Sequence, residues 1–225
     1  MTTPETALAD LQALANPEVS AGMSKKHKIA REYLGITNPE LDTAYKAWRK
    51  DTNVQERVEI ADYLWNGNIH EGRIAATKLL TQARITSDDG VWNALIRYLP
   101  QVDTLAISDQ LSAALSRRIE AHPERLDIIE TWATSEDRWT RRAVLTATLP
   151  WAKYSNPKTS DLLILDRILG WIELLAPEHE PIIQKAIAHW LRSLSKHNKS
   201  KVQDFLDEHG TTLKAFALKE ASILL

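Results

Sequence analysis

The sequence predicts an all-α protein of stacked helical hairpins, and three observations carry that expectation. Only seven glycines and nine prolines occur in 225 residues, and most fall between segments of helical periodicity. No stretch of useful length alternates apolar and polar residues as a half-buried strand would. Proline recurs at first helical positions, in Thr3-Pro4-Glu5, Asn38-Pro39-Glu40, Asn156-Pro157 and Ala176-Pro177-Glu178. Its missing N–H costs nothing there, because the first turn has no intrahelical acceptor.

In chain order, helices are expected near 4–15, 24–34, 39–50, 54–66, 70–85, 89–99 and 104–121. Others follow near 124–133, 136–149, 159–175, 179–196, 199–208 and 212–223. The first opens on Thr3-Pro4. The second carries the run "SKKHKIAREYLG", closed by Gly35, and the third opens on Asn38-Pro39. Those from residue 54 to residue 133 rest on apolar periodicity. Ser135 is the expected N-cap of the 136–149 helix, with Glu136 and Asp137 suited to the positive end of its dipole. Gly210 marks the end of the 199–208 helix. About a dozen helices with short connections suggest HEAT-like repeats stacked into an α-solenoid, a single domain over 1–225; a compact orthogonal bundle is the alternative.

Composition bounds the function classes. Hydrophobic residues make up 44 % and charged residues 26 %, ordinary values for a globular protein. The absence of cysteine excludes disulfides and thiolate metal sites. No run of about 18 apolar residues is present, so no membrane span is expected. "MTTPETALADLQALANPE" lacks the basic and apolar regions of a signal peptide, so a cytoplasmic location is expected. The seven histidines show no HxxxH or HExxH spacing, so no metal is expected, nor any organic cofactor. There is no glycine-rich phosphate loop and no nucleophile elbow. The net charge of −2 does not advertise a nucleic-acid binder, but charge is segregated. Basic groups cluster at Lys25, Lys26, Lys28 and Arg31, at Arg117-Arg118, from Arg138 to Arg142, and from Lys185 to Lys201.

Three surfaces stand out. In "EPIIQKAIAHWLRSLSKHNK", Ile182, Ile183, Ala186, Ile187, Trp190, Leu191 and Leu194 form a core face. Lys185, His189, Arg192 and Lys196 share one narrow stripe opposite, either a solvated face or a ridge that follows a phosphate backbone. In "TLAISDQLSAALSRRIEAH", Asp109 lies just past the rim of the apolar arc among small residues. It is a surface acid, or an acid paired with an arginine from the next helix, or a carboxylate open to something bulky. In "SEDRWTRRAVLTATLPW", Arg142 sits in a sector with apolar residues on both sides. The eight tryptophans are expected mostly in the core.

The segments "EDRWTRRAVL", "IIQKAIAHWLRSLSK" and "YLGITNPEL" resemble the AlkD-like DNA alkylation repair glycosylases, from about Lys25 to Asp207. The resemblance implies HEAT-like repeats around a concave basic groove that cradles duplex DNA. It implies excision of positively charged N3- and N7-alkylpurines by hydrolysis of the N-glycosidic bond, without extrusion of the base. It also implies an aspartate, an arginine and aromatic residues around the lesion's deoxyribose. Carried over, Arg142 matches the arginine and Asp109 the aspartate, with a one-residue margin in the alignment. Arg141, Lys185, His189, Arg192 and Lys196 are then candidate DNA contacts, and Trp92, Leu105 and Trp139 candidate lesion contacts. Two departures stand out. Leu105 replaces an aromatic residue one turn before the aspartate, and His189 replaces a tryptophan, the indole having moved to Trp190. Trp92 is the candidate substitute. A monomer binding duplex DNA with alkylated bases is expected. The alternatives are a non-catalytic helical-repeat protein recognising damaged or branched DNA, and a protein-binding solenoid.

Overall fold

The computed structural model describes residues 1–225 and contains thirteen α-helices and four 3-10 turns. The helices are α1 (Pro4–Ala13), α2 (Pro17–His27), α3 (Asn38–Lys50), α4 (Val54–Asn66), α5 (His70–Leu80), α6 (Asp89–Tyr98) and α7 (Leu105–Ala121). They continue as α8 (Leu126–Trp132), α9 (Arg138–Ala147), α10 (Thr159–Leu175), α11 (Pro181–Ser195), α12 (Lys199–His209) and α13 (Ala215–Ala221). No β-strand forms; the extended backbone pairs only in an isolated bridge between Glu32 and Ile69. No helix is long and apolar enough to cross a membrane. The chain divides into two compact units, Met1–Ala121 and His122–Leu225.

The first unit is built on α5, "HEGRIAATKLL", in which every residue but Lys78 is buried. Its small residues let α3, α4 and α7 pack around it. A helix buried on nearly all sides must satisfy most of its polar groups internally, and Glu71, Arg73, Thr77 and Lys78 of α5 find partners, while Nδ1 of His70 has none. Glu71 accepts hydrogen bonds from the backbone N–H groups of Leu34 and Gly35, at 2.9 and 2.8 Å. Arg73 donates to the Gln101 carbonyl at 2.9 Å, Thr77 to the Ile74 carbonyl at 2.9 Å, and Lys78 to Asp42 at 2.7 Å. Helix α6 packs on α4 and α7, and α1 on α3 and α4.

The second unit repeats the scheme around α11, with α9, α12 and α13 against it. Ile183, Ala186, Ile187, Trp190, Leu191 and Leu194 form its buried face. Each large member contributes roughly 1.5–3 kcal/mol relative to full exposure. Gln184, fully buried, donates to the carbonyls of Ala176 and Glu178, both at 2.9 Å, and accepts from the Lys214 N–H at 2.8 Å. That one amide ties three segments together. Helix α10 is peripheral, resting on α9 and the 3-10 turn Leu149–Lys153.

Three expected elements change, and neither Pro157 nor Pro177 opens a helix, α10 starting at Thr159 and α11 at Pro181. The second helix lies at Pro17–His27, not 24–34, because Asn16 caps it through bonds from the N–H groups of Glu18 and Val19, at 3.1 and 3.2 Å. The helix ends where Lys28 turns left-handed (φ 56°), and residues 29–36 run on as a strap. Gly35 therefore does not close a helix. At φ +77° a Cβ there would stand 2.3 Å from the Asn16 carbonyl oxygen, so glycine lets strap and α2 meet. Helix α5 stops at Leu80 rather than near 85, where the Arg49 guanidinium takes the carbonyls of Lys78, Leu79 and Thr81 at 2.6, 3.0 and 3.1 Å. Helix α9 is capped by Asp137, whose carboxylate accepts from the Thr140 N–H at 2.8 Å, and not by Ser135.

Candidate nucleic-acid interface

In the first unit, α7 buries Ile107, Ser108, Leu111, Ser112, Leu115 and Ser116. Its exposed stripe is Leu105, Asp109, Ala113 and Arg117, one residue per turn. Asp109 is therefore a surface carboxylate with an alanine one turn beyond it and a 44 % exposed leucine one turn before it. A small neighbour on one side leaves room for a bulky molecule to come against the helix. Trp92 lies on the buried face of α6 beside Val91, Leu95 and Tyr98.

In the second unit, Lys185, His189 and Lys196 are exposed along α11 and its C-cap. Arg192 is half-exposed, its guanidinium 3.3 Å from Glu220. Three of the four residues of the stripe read from periodicity are exposed, and Arg192 is partly engaged. Trp190 is fully buried while His189 is exposed, as a rotation of about 100° per residue requires. An indole at 190 cannot do what one at 189 would.

The arginines of α9 divide. Arg138 is exposed, its guanidinium 5.5 Å from the ring of buried Trp139. Arg141 turns its planar fork onto Glu178 at 2.8 and 2.5 Å, and onto the Ser135 and Glu136 carbonyls at 2.6 and 2.8 Å. Those bonds to Glu178 hold its guanidinium pKa above the ordinary arginine value despite burial. A phosphate reaching Arg141 would have to displace Glu178. Arg142 is buried, 8 % exposed, so only a small part of it meets the surface. Asp109 and Leu105 belong to the first unit, Arg142 and the α11 ridge to the second.

Sequence reasoning missed a polar cluster under the strap of the first unit. The rings of His27 and Tyr33 stack at 5.7 Å, and His70 lies 4.5 and 5.1 Å from them. Burial pushes the His70 imidazole down to about 4, reinforced by the charges of His27 and Arg31. His27 is lowered by burial and then by Lys26. Arg31, its side chain 2 % exposed, pairs with Asp103, which also faces Arg73 at 3.9 Å. These groups come from three segments far apart in the chain, near residues 27–33, 70–73 and 103, and no local spacing announces their meeting. The available signal was the density of polar residues in "HEGR", inside a helix with no exposed face.

A family model described as DNA alkylation repair enzyme matches residues 7–225. Among solved structures, one described as a predicted DNA alkylation repair enzyme from Enterococcus faecalis is similar at 24 % identity and a TM-score of 0.79, covering 94 % of this chain and 96 % of that one. The protein smu.31 from Streptococcus mutans UA159 is similar at 16 % identity and a TM-score of 0.64, over 92 % and 97 % of the two chains. AlkD2 from Streptococcus mutans is similar at 15 % identity and a TM-score of 0.63, over 92 % and 95 %. The fold is that of these helical-repeat proteins. No functionally curated protein matches.

Proposed function

We propose, for a chain that belongs to the DNA alkylation repair enzyme family, that it is a monofunctional DNA glycosylase acting on positively charged N3- and N7-alkylpurines in duplex DNA. The observation that carries this is the exposed carboxylate of Asp109, set in an otherwise uncharged stretch of α7. In the hydrolysis, the C1′–N bond breaks and its electron pair neutralises the cationic purine, which leaves as the free base. The sugar passes through an oxocarbenium-like state. Water adds at C1′ and gives up its proton. A carboxylate beside that carbon stabilises the developing positive charge and orients the water. Because the leaving group is already activated, no metal or organic cofactor is invoked.

Arg142, matched to the family's arginine, would hold a phosphate of the duplex. Lys185, His189, Arg192 and Lys196 would follow the backbone, each contact releasing counterions. A monomer suffices for one duplex. The competing reading, DNA binding without cleavage, draws on Leu105 and on buried Trp190, since both remove an aromatic face from the lesion's surroundings.

Incubation with duplex DNA methylated at purine N3 and N7 separates the two. Release of free 3-methyladenine or 7-methylguanine supports the glycosylase. Tight, salt-sensitive binding with no base released would leave only the DNA-binding role.

A further inference from the structure

We infer that the C-terminal end of α2, carrying Lys25, Lys26 and Lys28, is a second phosphate-backbone contact for duplex DNA, within the first unit and independent of the α11 ridge. The inference rests on the proposed DNA-binding function and names a surface that function has not used.

Helix α2 is unlike its neighbours. None of its eleven residues is buried, so packing does not account for it. It is held from its ends instead. The Asn16 N–H donates to the Leu34 carbonyl at 2.7 Å, and Gly35 of the strap lies against the backbone of Asn16 and Ser20. Glu71, Arg31 and the His27–Tyr33–His70 stack fix the strap in turn. The result is an exposed helix on a rigid mount.

The charges at its end are equally distinctive. Most cations of the first unit are committed: Arg31 to Asp103, Lys78 to Asp42, Arg97 to Asp62, Arg118 to Asp88, and Arg49 and Arg57 to backbone carbonyls. Lys25, Lys26 and Lys28 are exposed, and their ammonium groups enter no ion pair and no hydrogen bond. Three such charges within four residues set up a positive potential that suits a polyanion of regular spacing. They also complement the negative end of the helix dipole, which is the purely structural explanation.

Lys28 separates the two explanations. It occupies the left-handed region, φ 56°, at a helix end where glycine or asparagine is the strain-free choice. A lysine at that position carries a backbone cost that dipole complementation by Lys25 and Lys26 does not require. A side chain kept at a strained position points to a contact outside the fold.

The test measures binding of the full chain to a lesion-free duplex over a range of salt concentrations. The variants are Lys28→Gly and the triple Lys25→Ala, Lys26→Ala, Lys28→Ala, with melting temperature recorded for each. The triple variant is expected to reduce the slope of log K against log salt by roughly 2 to 3, near 0.9 for each phosphate lost. Lys28→Gly is expected to reduce it by about 1 while melting no lower than the unaltered protein. Unchanged slopes in both variants, with the unaltered protein binding duplex, overturn this inference alone. Absence of duplex binding by the unaltered protein overturns both this inference and the function it rests on.

Discussion

Glu71 is the group on which the strap and α2 depend, and replacing it by alanine gives a prediction whose size follows from the geometry. Its carboxylate is 1 % exposed and accepts from two backbone N–H groups, at 2.9 and 2.8 Å. Glu71→Ala leaves the donors of Leu34 and Gly35 without an acceptor. Each such buried group costs about 1–3 kcal/mol, so the loss should be about 2–6 kcal/mol. With a urea dependence of about 2 kcal/mol per molar, the unfolding midpoint falls by about 1–3 M. Against a total stability of roughly 5–15 kcal/mol, the variant is badly weakened though not necessarily unfolded at low temperature. Glu71→Gln keeps one acceptor oxygen but turns an NH₂ toward the other donor, so it should fall between the two. Urea titration followed by far-ultraviolet circular dichroism reads both. A midpoint lowered by less than about 0.3 M in Glu71→Ala would refute the claim that this carboxylate holds the strap.

Other outcomes follow from the same structure. The folded-state value of His70, about 4, lies below its unfolded value near 6.5, so the imidazole is buried neutral. Below pH 6.5 the unfolded chain takes up a proton that the folded chain refuses. Stability therefore declines as pH falls from 6.5 toward 4, by about 2 kcal/mol after discounting for solvent screening. Urea midpoints measured across that range should flatten in His70→Gln, and an equally steep decline in the variant would count against this assignment. Arg141→Ala should cost about 1.5–3 kcal/mol of stability, since it removes the Glu178 pair and two carbonyl bonds, and should leave the salt dependence of DNA binding nearly unchanged. A large loss of affinity at unaltered stability would show that Arg141 exchanges Glu178 for phosphate. Lys185→Ala should lower the salt slope by about 0.9, and Arg192→Ala by less, because its guanidinium is shared with Glu220.

The parts of the molecule legible in the sequence are those fixed by local periodicity. Helix α11 is the clearest case: an apolar face and a basic stripe opposite are present in one window, and six of the seven apolar residues are buried, Ile182 alone being partly exposed. The inward turn of Trp190 relative to His189 was available from the same arithmetic. What escaped depends on partners distant in the chain. Residues 29–34 read as helix in the sequence, but the backbone donors of Leu34 and Gly35 find Glu71, some 36 residues away. Arg141 and Arg142 are adjacent and chemically identical, yet Arg141 reaches Glu178, 37 residues on, while Arg142 is buried in α9. Charge runs announce that cations are present. Only the fold shows which of them are already engaged.

The most direct measurement is the rate of free-base release from duplex DNA containing 3-methyladenine or 7-methylguanine, comparing the unaltered protein with Asp109→Asn under single-turnover conditions. If an exposed carboxylate stabilises the sugar cation, the asparagine variant should bind duplex as tightly and release base at least a hundredfold more slowly, about 2.7 kcal/mol of lost transition-state stabilisation. Equal release rates in the two proteins would contradict the account at its centre.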